Sequence, residues 1–250
     1  MRKYLMITMA LAALIAISIA GIAQAEKPVK VRAGNLELTF NGGFSPKVLS
    51  RTKPTPITLS VSGKIATLDG THPPALKEVN VETDKNGAIN VKGLPVCTSG
   101  KLQSQDTKHA EAICKSAIIG TGTTNVQIQF PEQAPIPVSS KLLVFNGGTS
   151  GGTTTLFIHA YITVPTPAAI VTTVKIKKIH NGPYGLQSIA SVPKIAGGSG
   201  SVTSFSLSIT KKGVLTLKCP TGKIYARGEA KFSDGTKAKA EIIRTCTPKG

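Results

Sequence analysis

The sequence predicts an all-β protein: two internally duplicated β-sandwich copies, each of immunoglobulin-domain size and packed closely, with one short α-helix near residues 106–117 of the first copy. Three observations carry that expectation. Short stretches of alternating apolar and polar residues recur along the chain, the period that buries one face of a strand. Turn formers separate them, with 25 Gly and 16 Pro in 250 residues. Five segments of the first half return in the same order in the second.

Residues 1–25 stand apart. Arg2 and Lys3 precede an apolar run from Leu5 to Ile22, and Ala23 and Ala25 follow, the order of a secretory signal peptide cleaved after Ala25. The alternative is an uncleaved anchor, since the run approaches the roughly 20 apolar residues that span a bilayer. Cleavage predicts a secreted, extracellular protein with no later membrane span. Without Arg2 and Lys3, residues 26–250 keep 28 of the 30 Lys and Arg and all 12 Asp and Glu, a formal charge of +16. Residues 164–250 hold 14 basic and 3 acidic side chains, so +11 of that charge lies there.

The repeat begins with LTFNGG at 38–43, answered by LVFNGG at 143–148. A Pro-Thr-Pro follows each, at 54–56 and 165–167, and holds the chain extended ahead of a strand. Next, Val79, Val81, Ile89 and Val91 match Phe205, Leu207, Leu215 and Leu217, flanking Asn86-Gly87 and Lys212-Gly213 as two β-hairpins would. CTSGK at 97–101 then matches CPTGK at 219–223, and IIGTG at 118–122 matches ARGEA at 226–230. The first copy spans residues 26–136 and the second 137–250, with the boundary at Pro135 to Pro137. Two side-by-side sandwiches and one larger sandwich remain equally compatible with this pattern.

The first copy carries an insert, 102–117, in which Asp106 can cap a helix and Ala110, Ile113, Cys114 and Ala117 form its apolar stripe. Near the C-terminus, SDGT at 233–236 joins two alternating strands. Ile224, Ala226, Ala230 and Phe232 share a face on one, and Ala238, Ala240 and Ile242 on the other.

Four cysteines in an exported chain make two disulfides, and spacing alone allows three connectivities. The pairs nearest in sequence, Cys97 with Cys114 and Cys219 with Cys246, are favoured. A metal site is not expected, because no C-x-x-C pair is present and the four His, at 72, 109, 159 and 180, are scattered.

The segments SVSGKI, DGTHPPALKEV, GLPVC, CKSAIIGTG and PYGLQSIASVPKIAGGSGSVTSFSLSITKKG resemble those of uncharacterised exported β-sandwich proteins of soil actinobacteria. The resemblance covers most of residues 26–250. It implies export and the β fold, and brings no activity, cofactor or site residue.

Catalytic patterns fail for want of context. GTSGG, with Ser150 central, lacks the strand-to-helix elbow and an acid followed by a His, since the later acids Glu229, Asp234 and Glu241 come after every His, and it reads as a hairpin tip. His109 and Glu111 form H-x-E without a following P-C-x-x-C, and read as an exposed helix face. Asp69, Asp84 and Asp234 sit beside turn glycines and Asp106 at a helix start, while Glu78, Glu82 and Glu241 read as solvated strand positions. With no Trp and 4 Tyr, the chain offers few platforms for stacking on sugars. The expected function is therefore a cofactor-free, non-catalytic role, structural or in interaction, at the cell envelope. The alternative is binding of a polyanion (wall polymer, acidic polysaccharide or extracellular DNA) by the outward cations Lys175, Lys177, Arg227, Lys231, Lys237 and Lys239. Specific nucleic-acid recognition is not expected, since no aromatics interleave these lysines. A third possibility, a hydrolase of unrecognised type, would need a deep pocket with converging polar groups.

Overall fold

The computed structural model describes residues 26–250, so the secretory signal read in residues 1–25 lies outside the described residues. The strands are β1 (Val29–Ala33), β2 (Leu36–Ser45), β3 (Val48–Ser50), β4 (Thr55–Pro56), β5 (Thr58–Thr67), β6 (Leu76–Asp84), β7 (Gly87–Ile89), β8 (Ile118–Ile128) and β9 (Ile136–Ser150). They continue with β10 (Thr153–Ile162), β11 (Ala168–Asn181), β12 (Tyr184–Ser191), β13 (Gly200–Ile209), β14 (Leu215–Leu217), β15 (Lys223–Phe232), β16 (Lys237–Thr245) and β17 (Thr247–Lys249). Helices α1 (Ser99–Leu102) and α2 (Thr107–Ile113) lie between β7 and β8.

Twelve strands form one antiparallel sheet in the order β1-β2-β5-β13-β8-β9-β10-β11-β12-β6-β15-β16. Its outermost strands, β1 and β16, lie against each other without a shared ladder, so the sheet rolls around a single interior. The all-β class therefore holds, as one rolled, sandwich-like body. Strands of residues 26–136 and 137–250 interleave within it: β13 lies between β5 and β8, and β6 between β12 and β15.

The hairpins expected at Asn86-Gly87 and Lys212-Gly213 do not form. The turns are present, but β6 pairs with β12 and β15, and β13 with β5 and β8. Alternation marks a strand without choosing its partner, and the long ladders offered by distant strands outweigh the three residues of β7 or β14. Those short strands instead pair with each other, Ile89 opposite Leu215, while β4 flanks β14. Val91 and Val214 pack there with Ile209 and Ile176, closing one end of the interior.

Pairing also revises one sequence match. Leu207 faces Gly122 and Val81 faces Gly228. Since Val81 and Leu207 align, IIGTG matches IYARG at 224–228 and not ARGEA. A shift of two leaves every side chain on its expected face, because strand periodicity is two. The hairpin through SDGT forms as read, with Lys231 opposite Lys237.

Both favoured disulfides are present, Cys97–Cys114 and Cys219–Cys246. The first ties the helical insert to the strands. Asp106 caps α2, accepting from the His109 backbone N–H at 2.8 Å. Ala110, Cys114 and Ala117 are buried as expected, whereas Ile113 is 50 % exposed. The α-helix ends at Ile113 and a 3₁₀ turn carries on from Lys115 to Ala117, so helical periodicity does not continue through the stripe. The insert covers the outward side chains Leu143, Phe145 and Phe157 of β9 and β10. Beneath it, fully buried His159 donates from Nε2 to the Gln105 carbonyl at 2.9 Å, and its Nδ1 has no partner. Burial holds this imidazole below its ordinary pKa, although that hydrogen bond and Asp106 pull the other way.

Candidate functional site

The inward faces of the sheet do not fill the interior. A cavity of about 510 Å³ lies between them, lined by side chains from strands all around the sheet. Val61, Val79, Val81, Ile158, Ile170 and Leu186 line it and remain only half-buried. Protein interiors normally pack as densely as organic crystals, so inward aliphatic side chains that keep accessible surface mark a chamber. Its volume falls within the roughly 300–1,000 Å³ of small-molecule sites.

The chamber has a local cause in the sequence. On β8 to β11 the inward positions carry Val126, Val144, Leu156, Ile162 and Val174, which bury almost completely, beside Ile158 and Ile170, which stay half-buried. On β12, β15 and β16 they include the small residues Ser188, Ala190, Ala226, Gly228 and Ala240 alongside Leu186, Ile224 and Ile242. Gly228 leaves space that is ordinary in character: a Cβ there would meet the Asn80 carbonyl oxygen at 3.5 Å and a Val81 methyl at 3.7 Å. At Gly63, by contrast, the Phe205 ring on the neighbouring strand already occupies the Cβ position.

Polar groups at the wall are few and mostly satisfied. The Asp84 carboxylate is 3 % exposed and accepts from the Asn86 backbone and side chain, each at 2.8 Å, and from the Tyr225 backbone at 3.0 Å. Arg244, 7 % exposed, stands where β16 passes β2. It donates to the Gly42 carbonyl, to Asn41 Oδ1 at 3.0 Å and to the Ile243 carbonyl at 3.2 Å, and lies 3.2 Å from Glu26.

The six outward cations are not brought together as one field. Because β6 enters between β12 and β15, Glu78 and Glu82 separate Lys175 and Lys177 on β11 from the cations of β15 and β16. Arg227 pairs with Glu82 at 2.7 Å and stacks over the Tyr184 ring, Lys231 pairs with Glu78 at 2.7 Å, and Lys239 meets Glu229 at 3.2 Å. The Glu78 contact raises the Lys231 pKa. Glu78 and Glu82 thus serve as ion-pair partners, correcting their reading as merely solvated. Among the described residues Lys175, Lys177 and Lys237 make no ion pair.

Ser150 ends β9 at the hairpin tip formed by Gly151 and Gly152, as read from sequence. His109 bonds Asp106 and Glu111 bonds Lys141 on the exposed side of α2. A chain that sequence reasoning missed links Ser201 Oγ to His72 Nε2 at 3.1 Å and His72 Nδ1 to Gln127 at 3.0 Å. Ser201 is 1 % exposed and its hydroxyl also bonds the Pro73 carbonyl. That arrangement pins the loop before β6 against β8 and β13. Among the described residues no group of His, Cys, Asp and Glu is placed to hold a metal ion, and no helix is long and apolar enough to cross a membrane.

No protein-family model matches the chain, and no curated protein matches it in sequence.

Proposed function

We propose that this protein binds an apolar small molecule in its interior and acts as a carrier or receptor for it outside the cytoplasm. The observation that carries this reading is the 510 Å³ chamber with half-buried aliphatic walls. The aliphatic walls leave apolar surface open to water, and covering it is favourable at about 25 cal/mol per Å². A ligand that fills the chamber recovers dispersion contacts and burial of apolar surface. The two disulfides and the leader sequence support an oxidising, exported setting. This reading leaves the envelope role expected from sequence in place and gives it a cargo. It displaces polyanion binding, whose cations are divided by the acidic residues of β6.

The test is titration of the chain comprising residues 26–250 with N-phenyl-1-naphthylamine, a neutral dye that brightens on leaving water. Saturable brightening at one site per chain, reversed by long-chain alcohols, is the expected result. A chain that leaves the dye dark overturns the reading.

A further inference from the structure

Resting on that reading of the cavity, we infer that its ligand is an amphipathic anion, with the apolar body in the chamber and a carboxylate-type head at Arg244. Two arginines belong to the cavity wall. Arg227 turns outward to Glu82 at 2.7 Å, whereas Arg244 follows Ala240 and Ile242 on the inward face of β16. Its three bonds, to Gly42, Asn41 and Ile243, engage Nε and each terminal nitrogen once. A guanidinium carries five N–H groups. One therefore remains on each terminal nitrogen, and two is the number that a carboxylate accepts from an arginine.

The charge around Arg244 also favours an anion. Glu26 serves two cations, Arg244 at 3.2 Å and Lys47 at 2.9 Å, so this cluster carries one uncompensated positive charge. Asp84, the buried acid at the wall among the described residues, is already engaged by Asn86 and Tyr225. Lys47 lies 4.3 Å over the ring of Phe44, which itself lines the chamber, and its side chain is 41 % exposed. The cluster therefore spans from apolar wall to water, at the seam where β16 passes β1 and β2 without a ladder. A molecule with one apolar and one anionic end matches both sides of that boundary.

The experiment compares dodecanoate with dodecanol as competitors for bound N-phenyl-1-naphthylamine, below the concentrations at which either self-associates. Dodecanoate should displace the dye at least tenfold more effectively. Arg244→Gln should abolish that preference. Glu26→Gln should widen the preference several-fold by releasing Arg244 and Lys47, a gain that a purely structural arginine would not give. Equal displacement by acid and alcohol from the unaltered protein overturns the head assignment while the chamber stands. Displacement by neither overturns the chamber as a binding site. Comparison within the unaltered protein keeps the inference testable even where Arg244→Gln fails to fold.

Discussion

The wall made by β8 to β11 and the wall made by β12, β6, β15 and β16 obey the same alternation and both border the chamber, yet the first is the more tightly packed. On the first, valine, leucine and isoleucine point inward, and a second layer of helix and disulfide seals the outer face. On the second, alanine, glycine and serine occupy many of the inward positions, and the outer face is a lattice of ion pairs. Alternation decides which side of a strand is apolar. The size of the inward residues helps set how far the apolar side fills space.

The sharpest way to break this contrast is truncation on the packed wall. Leu156→Ala should cost about 2–5 kcal/mol in chemical denaturation, the range for a buried leucine whose surroundings cannot collapse. A loss under about 1 kcal/mol would mean that this wall is no better packed than the other.

Removing the Cys219–Cys246 bridge, which ties the end of β14 to the end of β16, should cost about 3.5 kcal/mol from its 27-residue separation. Removing Cys97–Cys114, with 17, should cost about 3 kcal/mol. The contrast sharpens in a second readout. Only the first change, beside the seam that holds Arg244, should also weaken dye binding.

Filling the roomy wall should act with the opposite sign to truncating the packed one. Gly228→Leu should leave the melting temperature level or higher, while dye affinity falls at least tenfold, about 1.4 kcal/mol. Destabilisation on the scale of Leu156→Ala would show that the space at Gly228 is not there.

The smallest effect belongs to His159, behind the packed wall. Its folded pKa lies below the ordinary value near 6.5, so below about pH 6.5 the unfolded chain takes up a proton that the folded chain refuses. Stability should fall as pH drops below 6.5, by at most about 1.4 kcal/mol per pH unit. His159→Gln should flatten that stretch of the pH profile, and an unchanged profile would assign the slope to other groups.

Much of the fold was legible because its signals are local. Alternation marked the strands, SDGT marked the last hairpin, Asp106 marked the helix start, and sequence proximity paired the cysteines correctly. The partners of β6 and β13 were not legible, since ladder choice depends on strands more than a hundred residues away. That one uncertainty misled the reading of the surface. Glu78 and Glu82 looked idle only while β6 was placed away from Arg227 and Lys231. The chamber left a trace that could have been found. Ala226 and Ala240 fall on the apolar faces read from the sequence, and their small volumes mark a deficit that hydrophobicity alone conceals.

The interleaving of β6 and β13 sets an order of events during synthesis. β6 is complete at Asp84, but its neighbours β12 and β15 end at Ser191 and Phe232, and β16, against which β1 lies, ends at Thr245. A growing chain therefore cannot close the sheet until β16 exists. Such distant pairings make closure slow, since the entropy of long loops must be lost before the contacts that offset it form. The sheet's own topology keeps its two edges apart until β16 has been made.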